Sequence, residues 1–128
     1  MRLLLDTHAF LWWVAGDDRL SLAAKAAMSD NANEVFVSAA SIWEITTKYR
    51  LGKLAGVAAI AADLEAAIVG QGFSGMSISV GHGQLAGALP GPHRDPFDRM
   101  LMAQAILDKL LLVSNQTLFD AYGLVRLW

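Results

Sequence analysis

The sequence predicts an α/β fold, a three-layer α/β/α arrangement around a central parallel sheet, with residues 1–128 as a single domain. Two features point to it. Short apolar runs recur along the chain and alternate with longer helix-patterned stretches, the order that produces a parallel sheet covered on both faces. The first run, Arg2–Leu5, is continuously apolar after its first residue instead of alternating, as a strand buried on both faces requires. A length of 128 residues and 13.8 kDa suits one core.

Arg2–Leu5 ends abruptly in Asp6, which places that carboxylate at the carboxyl end of a strand. A helix follows through Phe10, Trp13 and Val14. A second runs from Leu22 to Met28, capped by Ser21 and closed by the polar stretch Ser29–Asn33. Val35–Val37 reads as the second strand. Ser38 or Ser41 caps a helix reaching Leu51, with Gly52 as its stop. Ala58–Val69 reads as one Ala-rich helix broken by Gly70 and Gly72, and Met76–Ile78 as a weak third strand. Val80–Leu89 is a short helix weakened by three glycines. After the Pro90–Pro92 loop, Asp95, Pro96 and Asp98 read as the cap, first helical residue and third-position acid of a helix reaching about Lys109. Leu111–Val113 and Val125–Leu127 complete the strands, with a short helix around Leu118–Tyr122 between them.

Ten Lys and Arg against twelve Asp and Glu give a net charge of −2, so any nucleic acid must bind a local patch and not a global positive field. A hydrophobic content of 55% and a mean hydropathy of +0.40 exclude a disordered chain and leave apolar surface for a partner, with Phe10, Leu11, Trp12 and Trp13 the candidate segment. The absence of cysteine excludes disulfides, thiolate metal sites and a cysteine nucleophile. Asp6 and His8 interrupt the N-terminal apolar stretch, so it does not read as a signal peptide, and no apolar run is long enough to cross a bilayer. A cytoplasmic location is the expectation.

In open parallel sheets the crevice lies outside the carboxyl ends of the strands, where Asp6 and Ser114 fall and toward which the helix start near Asp98 points. Carboxylates gathered there repel one another unless a divalent cation compensates them. Oxygen ligands without cysteine select Mg²⁺ or Mn²⁺ over Zn²⁺, and such an ion suits phosphodiester hydrolysis. Taken singly, Asp95 and Asp98 also read as helix-capping acids, and Glu44 as the solvent face of its helix. Asp6 resists that reading, because a charge directly after a buried strand is costly unless paired or metal-bound.

The segments LLLDTHAFLWW, VSAASIWEITTKYRLGKL and PHRDPFDRMLMAQA, in this order and followed by LLVSNQTLFDAYGLVRLW, resemble the PIN-domain family, in particular VapC-type toxin ribonucleases. The resemblance spans nearly the whole chain. It implies RNA cleavage with Mg²⁺ or Mn²⁺ held by Asp6, Glu44 and Asp98, with Asp95 as an addition. It also implies a homodimer and a cognate antitoxin whose helix lies in an apolar groove. Where the family often has a further Asp after the fourth strand, this chain has Ser114, Asn115 and Gln116, which favours one ion over two. A PIN-like scaffold that only binds RNA or protein is the alternative. A phospho-accepting domain is disfavoured, since no second Asp stands two residues after Asp6.

Arg94 and Arg99 flank the DPFD segment and are the expected phosphate contacts, ahead of Lys48, Arg50 and Lys53. Thr7, Ser38 and Ser114 can support the crevice through hydrogen bonds. His8, His82 and His93 lack metal-pair spacing and read as structural or solvent-facing, with His93 near enough to Arg94 to touch substrate. Trp12, Trp13, Trp43, Phe97 and Trp128 have faces that stack bases, but the apolar content favours core or interface packing for them.

Overall fold

The computed structural model describes residues 1–128. In chain order the elements are β1 (Arg2–Leu5), α1 (Thr7–Ala15), α2 (Leu22–Ser29), β2 (Glu34–Ser38), α3 (Ala39–Arg50), α4 (Ala58–Ala61), α5 (Leu64–Gly70), β3 (Ser74–Met76), α6 (Val80–Ala88), α7 (Pro96–Asp108), β4 (Leu111–Val113), a 3₁₀ turn (Thr117–Tyr122) and β5 (Arg126–Leu127). The five strands form one parallel sheet in the order β3-β2-β1-β4-β5. β1 lies at its centre, with Leu3 opposite Val35 on one side and Leu111 on the other.

Successive side chains of a strand point to opposite faces, so β1 serves two cores. Leu3 and Leu5 join Ala9, Phe10, Val35, Val37 and Ile45 under α1, α2, α3 and α5. Leu4 joins Leu101, Met102, Ala105, Leu112 and Phe119 under α7. This explains the unbroken apolar run at the start of the chain and gives the three predicted layers. No helix is long and apolar enough to cross a membrane.

The expected boundaries shift at several places, β2 and most helices by a single residue. The single helix expected over Ala58–Val69 is two, α4 and α5, because the Asp63 carboxylate accepts a hydrogen bond from Ala66 N (3.0 Å) and starts a new helix there. The third strand lies at Ser74–Met76 instead of Met76–Ile78. It is an edge strand paired only with β2, and its side chains are largely exposed, so no apolar run marks it. β5 is only Arg126–Leu127. The early aromatic segment is also less available than its composition suggests, since Phe10 is fully buried and Leu11, Trp12 and Trp13 pack against the core. Trp128 meets Trp12 edge-on, and Trp13 packs on Phe73.

Candidate active site

The sheet order reverses between β1 and β4, which places a crevice at their carboxyl ends. Asp6 stands there: its backbone N–H donates to Val113 O at the end of β4 (3.0 Å), and its Oδ1 caps α1 by accepting from Ala9 N (2.7 Å). Ser38 caps α3 through Ala40 N. That start turns Glu44 inward to 6% exposure, not toward solvent. The Thr7 hydroxyl donates to Glu44 Oε1 (2.6 Å) and also meets the Ser41 hydroxyl (3.0 Å), while Lys48 Nζ donates to Glu44 Oε2 (2.5 Å) one turn on. Asp95 Oδ1 caps α7, accepting from Phe97 N (2.9 Å) and Asp98 N (3.1 Å), and Pro96 follows where no N–H is needed. Asp98 does not reach back to complete a capping box. Its Oδ2 pairs with His93 Nε2 at 2.8 Å.

Asp6, Glu44, Asp95 and Asp98 converge with Thr7, His8, Lys48 and Gln116 on a cavity of about 200 Å³ that has no hydrophobic wall. Burial raises the Asp6 carboxyl above its ordinary 3.8. The Ser114 hydroxyl and the Ala9 amide temper that rise, and the charge of Asp98 adds to it. Asp6 Oδ2 nevertheless stays buried without a hydrogen-bond partner. Burial likewise raises Asp98, with His93 opposing the rise and Asp95 and Glu44 reinforcing it. Larger apolar cavities exist, including one of about 400 Å³ against Val37, Ile42 and Ile68, but they hold no such cluster of acids.

The model of the PIN domain matches residues 3–124 of the chain. The chain belongs to the PIN-domain family. Solved structures share its fold at low identity. VapBC2 from Rickettsia felis, bound to a DNA fragment from its promoter, is 14% identical with a TM-score of 0.67, covering 98% of this chain and 96% of that one. VapC20 from Mycobacterium tuberculosis, described as a sarcin-ricin loop cleaving toxin, is 18% identical with a TM-score of 0.66, and 96% of each chain is covered. A toxin-antitoxin complex from Klebsiella pneumoniae is 20% identical with a TM-score of 0.59, covering 90% of this chain and 87% of that one. No curated protein matches the sequence.

Whether this PIN domain's cavity suits a divalent ion turns on its donors. No three Asp, Glu or His groups converge closely enough to enclose an ion unaided. Mg²⁺, however, keeps several waters and needs only one or two protein carboxylates directly. An unpartnered buried oxygen on Asp6 and mutual repulsion between Asp98 and its acidic neighbours fit that kind of ion. The amide of Gln116 lines the cavity where an additional acid would have added charge.

The two arginines separate. Arg94 is exposed and makes no hydrogen bond or ion pair. Arg99, expected to contact phosphate, instead donates to Ala86 O, His93 O and Leu89 O. Its guanidinium satisfies carbonyls at the end of α6 and pins the following loop, so its donors are already used. Gly91 in that loop has φ +116°, and a Cβ there would collide with Tyr122, whose hydroxyl accepts from His93 N (3.2 Å). The pairing of His93 with Asp98 has no metal-ligand spacing to mark it, and its only trace in the sequence is a histidine five residues before an acid. Lys48, a lesser candidate for phosphate contact, pairs instead with Glu44 one turn away.

Proposed function

We infer that this PIN domain is a divalent-metal-dependent endoribonuclease, the toxin of a toxin-antitoxin pair acting in the cytoplasm. The observation that carries the reading is the wholly polar cavity where Asp6, Glu44, Asp95 and Asp98 meet at the carboxyl ends of β1 and β4. The solved relatives described as toxins and toxin-antitoxin complexes support the same reading.

Asp6 and Asp98 would hold Mg²⁺ or Mn²⁺, with Glu44 beside them and Asp95 contributing directly or through water. When bound, such an ion supplies Lewis-acid stabilisation of a phosphoryl oxygen and offsets charge developing in hydrolysis. Glu44 would bind the ion or orient an attacking water, its two oxygens held by Thr7 and Lys48. His93 fixes the Asp98 carboxylate. Arg94 is the cation free to meet the RNA backbone. A homodimer and a cognate antitoxin complete the proposal.

Gln116 favours a second reading, a weakly catalytic module that mainly holds RNA, because an amide brings no charge to the ion. Purified protein titrated with Mg²⁺ or Mn²⁺ against RNA separates the two. Metal-dependent cleavage lost in Asp6→Asn supports the nuclease, whereas RNA binding without turnover at any metal concentration supports the module. A partner encoded beside this gene that co-purifies and inhibits cleavage, together with a dimer in sedimentation, tests the remainder.

A further inference from the structure

Next to the acidic cavity opens a second one of about 230 Å³, walled by Trp43, Phe97, Ala40 and Ile78, with Arg94 on its lining. The chain itself joins the two: Trp43 immediately precedes Glu44, and Phe97 lies between Asp95 and Asp98. Trp43 is 62% exposed, unlike Trp12, Trp13 and Trp128, which lean on the core. Phe97 holds it edge-on, with centroids 4.9 Å apart and ring planes at 75°. An indole fixed by a neighbouring ring but left open to solvent is a preorganised flat surface.

We propose that this slot takes an unpaired nucleobase of the RNA, stacked on Trp43, with Arg94 on an adjoining phosphate; the proposal rests on the ribonuclease reading above. The electrostatics of the site give the reason. A net charge of −2 and a cluster of repelling carboxylates work against a polyanion, so a contact that does not depend on charge adds to what a local cation supplies. Base stacking on an aromatic ring is such a contact, and it tolerates every base because each has a π face. Arg94, with no acid bonded to it, supplies the local phosphate contact. The Arg99 bonds to three carbonyls keep the wall behind it fixed. Bases paired in a duplex cannot enter, so the slot selects single-stranded or looped RNA.

The test uses the Asp6→Asn protein, which leaves RNA uncut while asparagine still caps α1. Anisotropy would measure binding of a short single-stranded RNA, the same RNA as a duplex, and a sugar-phosphate chain of equal length without bases. Adding Trp43→Ala should weaken single-strand binding about tenfold and leave the abasic chain unaffected, and Trp43→Phe should restore most of the loss. Adding Arg94→Ala should weaken both single-stranded probes alike. Equal single-strand affinity in the Trp43→Ala protein would overturn the base slot while leaving the ribonuclease reading intact. No RNA binding by the Asp6→Asn protein itself would overturn both. A Trp43→Ala change in sedimentation without a change in RNA affinity would identify the face as a protein interface and overturn the slot.

Discussion

The two ends of α7 carry the same pair of residues in opposite settings. At its start Asp98 bonds His93 Nε2 at 2.8 Å, and at its end Asp108 bonds His82 Nε2 at 3.0 Å. The helix dipole favours a carboxylate at the first site and disfavours one at the second. His82 is nearly buried, and its Nδ1 accepts from Ser79 N (2.9 Å) while Ser79 Oγ accepts from His82 N (3.1 Å), a closed capping box on α6. With Nδ1 accepting, Nε2 carries the hydrogen and donates to Asp108, so the ring is committed on both sides. The His93 imidazole makes no second bond, and its carboxylate faces other acids across a polar cavity. A histidine–aspartate pair is therefore not informative alone; what the remaining atoms face decides whether it holds the fold or serves a site.

The sharpest break between the ends should come from neutralising each carboxylate. Asp98→Asn is expected to lower RNA cleavage about a hundredfold or more, while Asp108→Asn leaves the rate per folded molecule near that of the parent, measured by initial rates on one RNA. Next in size, His82→Ala should cost about 1–3 kcal/mol in denaturant unfolding, because it strips the Ser79 amide and Asp108 of their partner. Loss of cleavage without loss of stability in that variant would erase the distinction.

A smaller effect follows from acidity. Asp6 and Asp98 have raised folded-state values, so the folded protein binds protons more readily than the unfolded chain. Their contribution therefore strengthens as pH falls from neutral toward about 3.8 and weakens as pH rises through the folded values. Asp17, held down to about 2 by hydrogen bonds from Arg19, and Asp120, lowered by Arg126, act oppositely: what they contribute is lost as pH drops below about 3.8. Denaturation of metal-free protein across this range should show Asp6→Asn flattening the upper part only. A divalent ion should reduce the same slope. The smallest change is His93→Gln, expected to weaken Mn²⁺ binding severalfold in calorimetry, since it alters the orientation of Asp98 but leaves the carboxylate itself in place.

How far the sequence reveals these features depends on whether the information is local. β1, β4 and the caps at Ser21 and Asp95 were legible because unbroken apolar runs and polar residues before helices act over a few residues, while of the two serines offered for α3 the structure uses Ser38. β3 was misplaced because an exposed edge strand has no hydrophobic signature, and the break at Asp63 was hidden within helix-forming alanines. At the site, Asp6, Glu44, Asp95 and Asp98 could be singled out, but the uses of the neighbouring cations could not. Arg94 and Arg99 differ only in which carbonyls the folded loop brings near them, and no local pattern encodes that.

The central place of β1 also sets when the cavity comes into existence. Its walls come from residues near 6, 44, 95 and 116, and β1 is completed on one side only when β4 pairs with it. During synthesis the emerging chain can align β1 with β2 early, yet Asp6 then borders an empty edge, and Asp98 and Gln116 have not been brought opposite it. Closing so distant a strand pair is entropically slow. The acidic pocket is thus among the last features to be assembled, and a partly made polypeptide has an incomplete version of it.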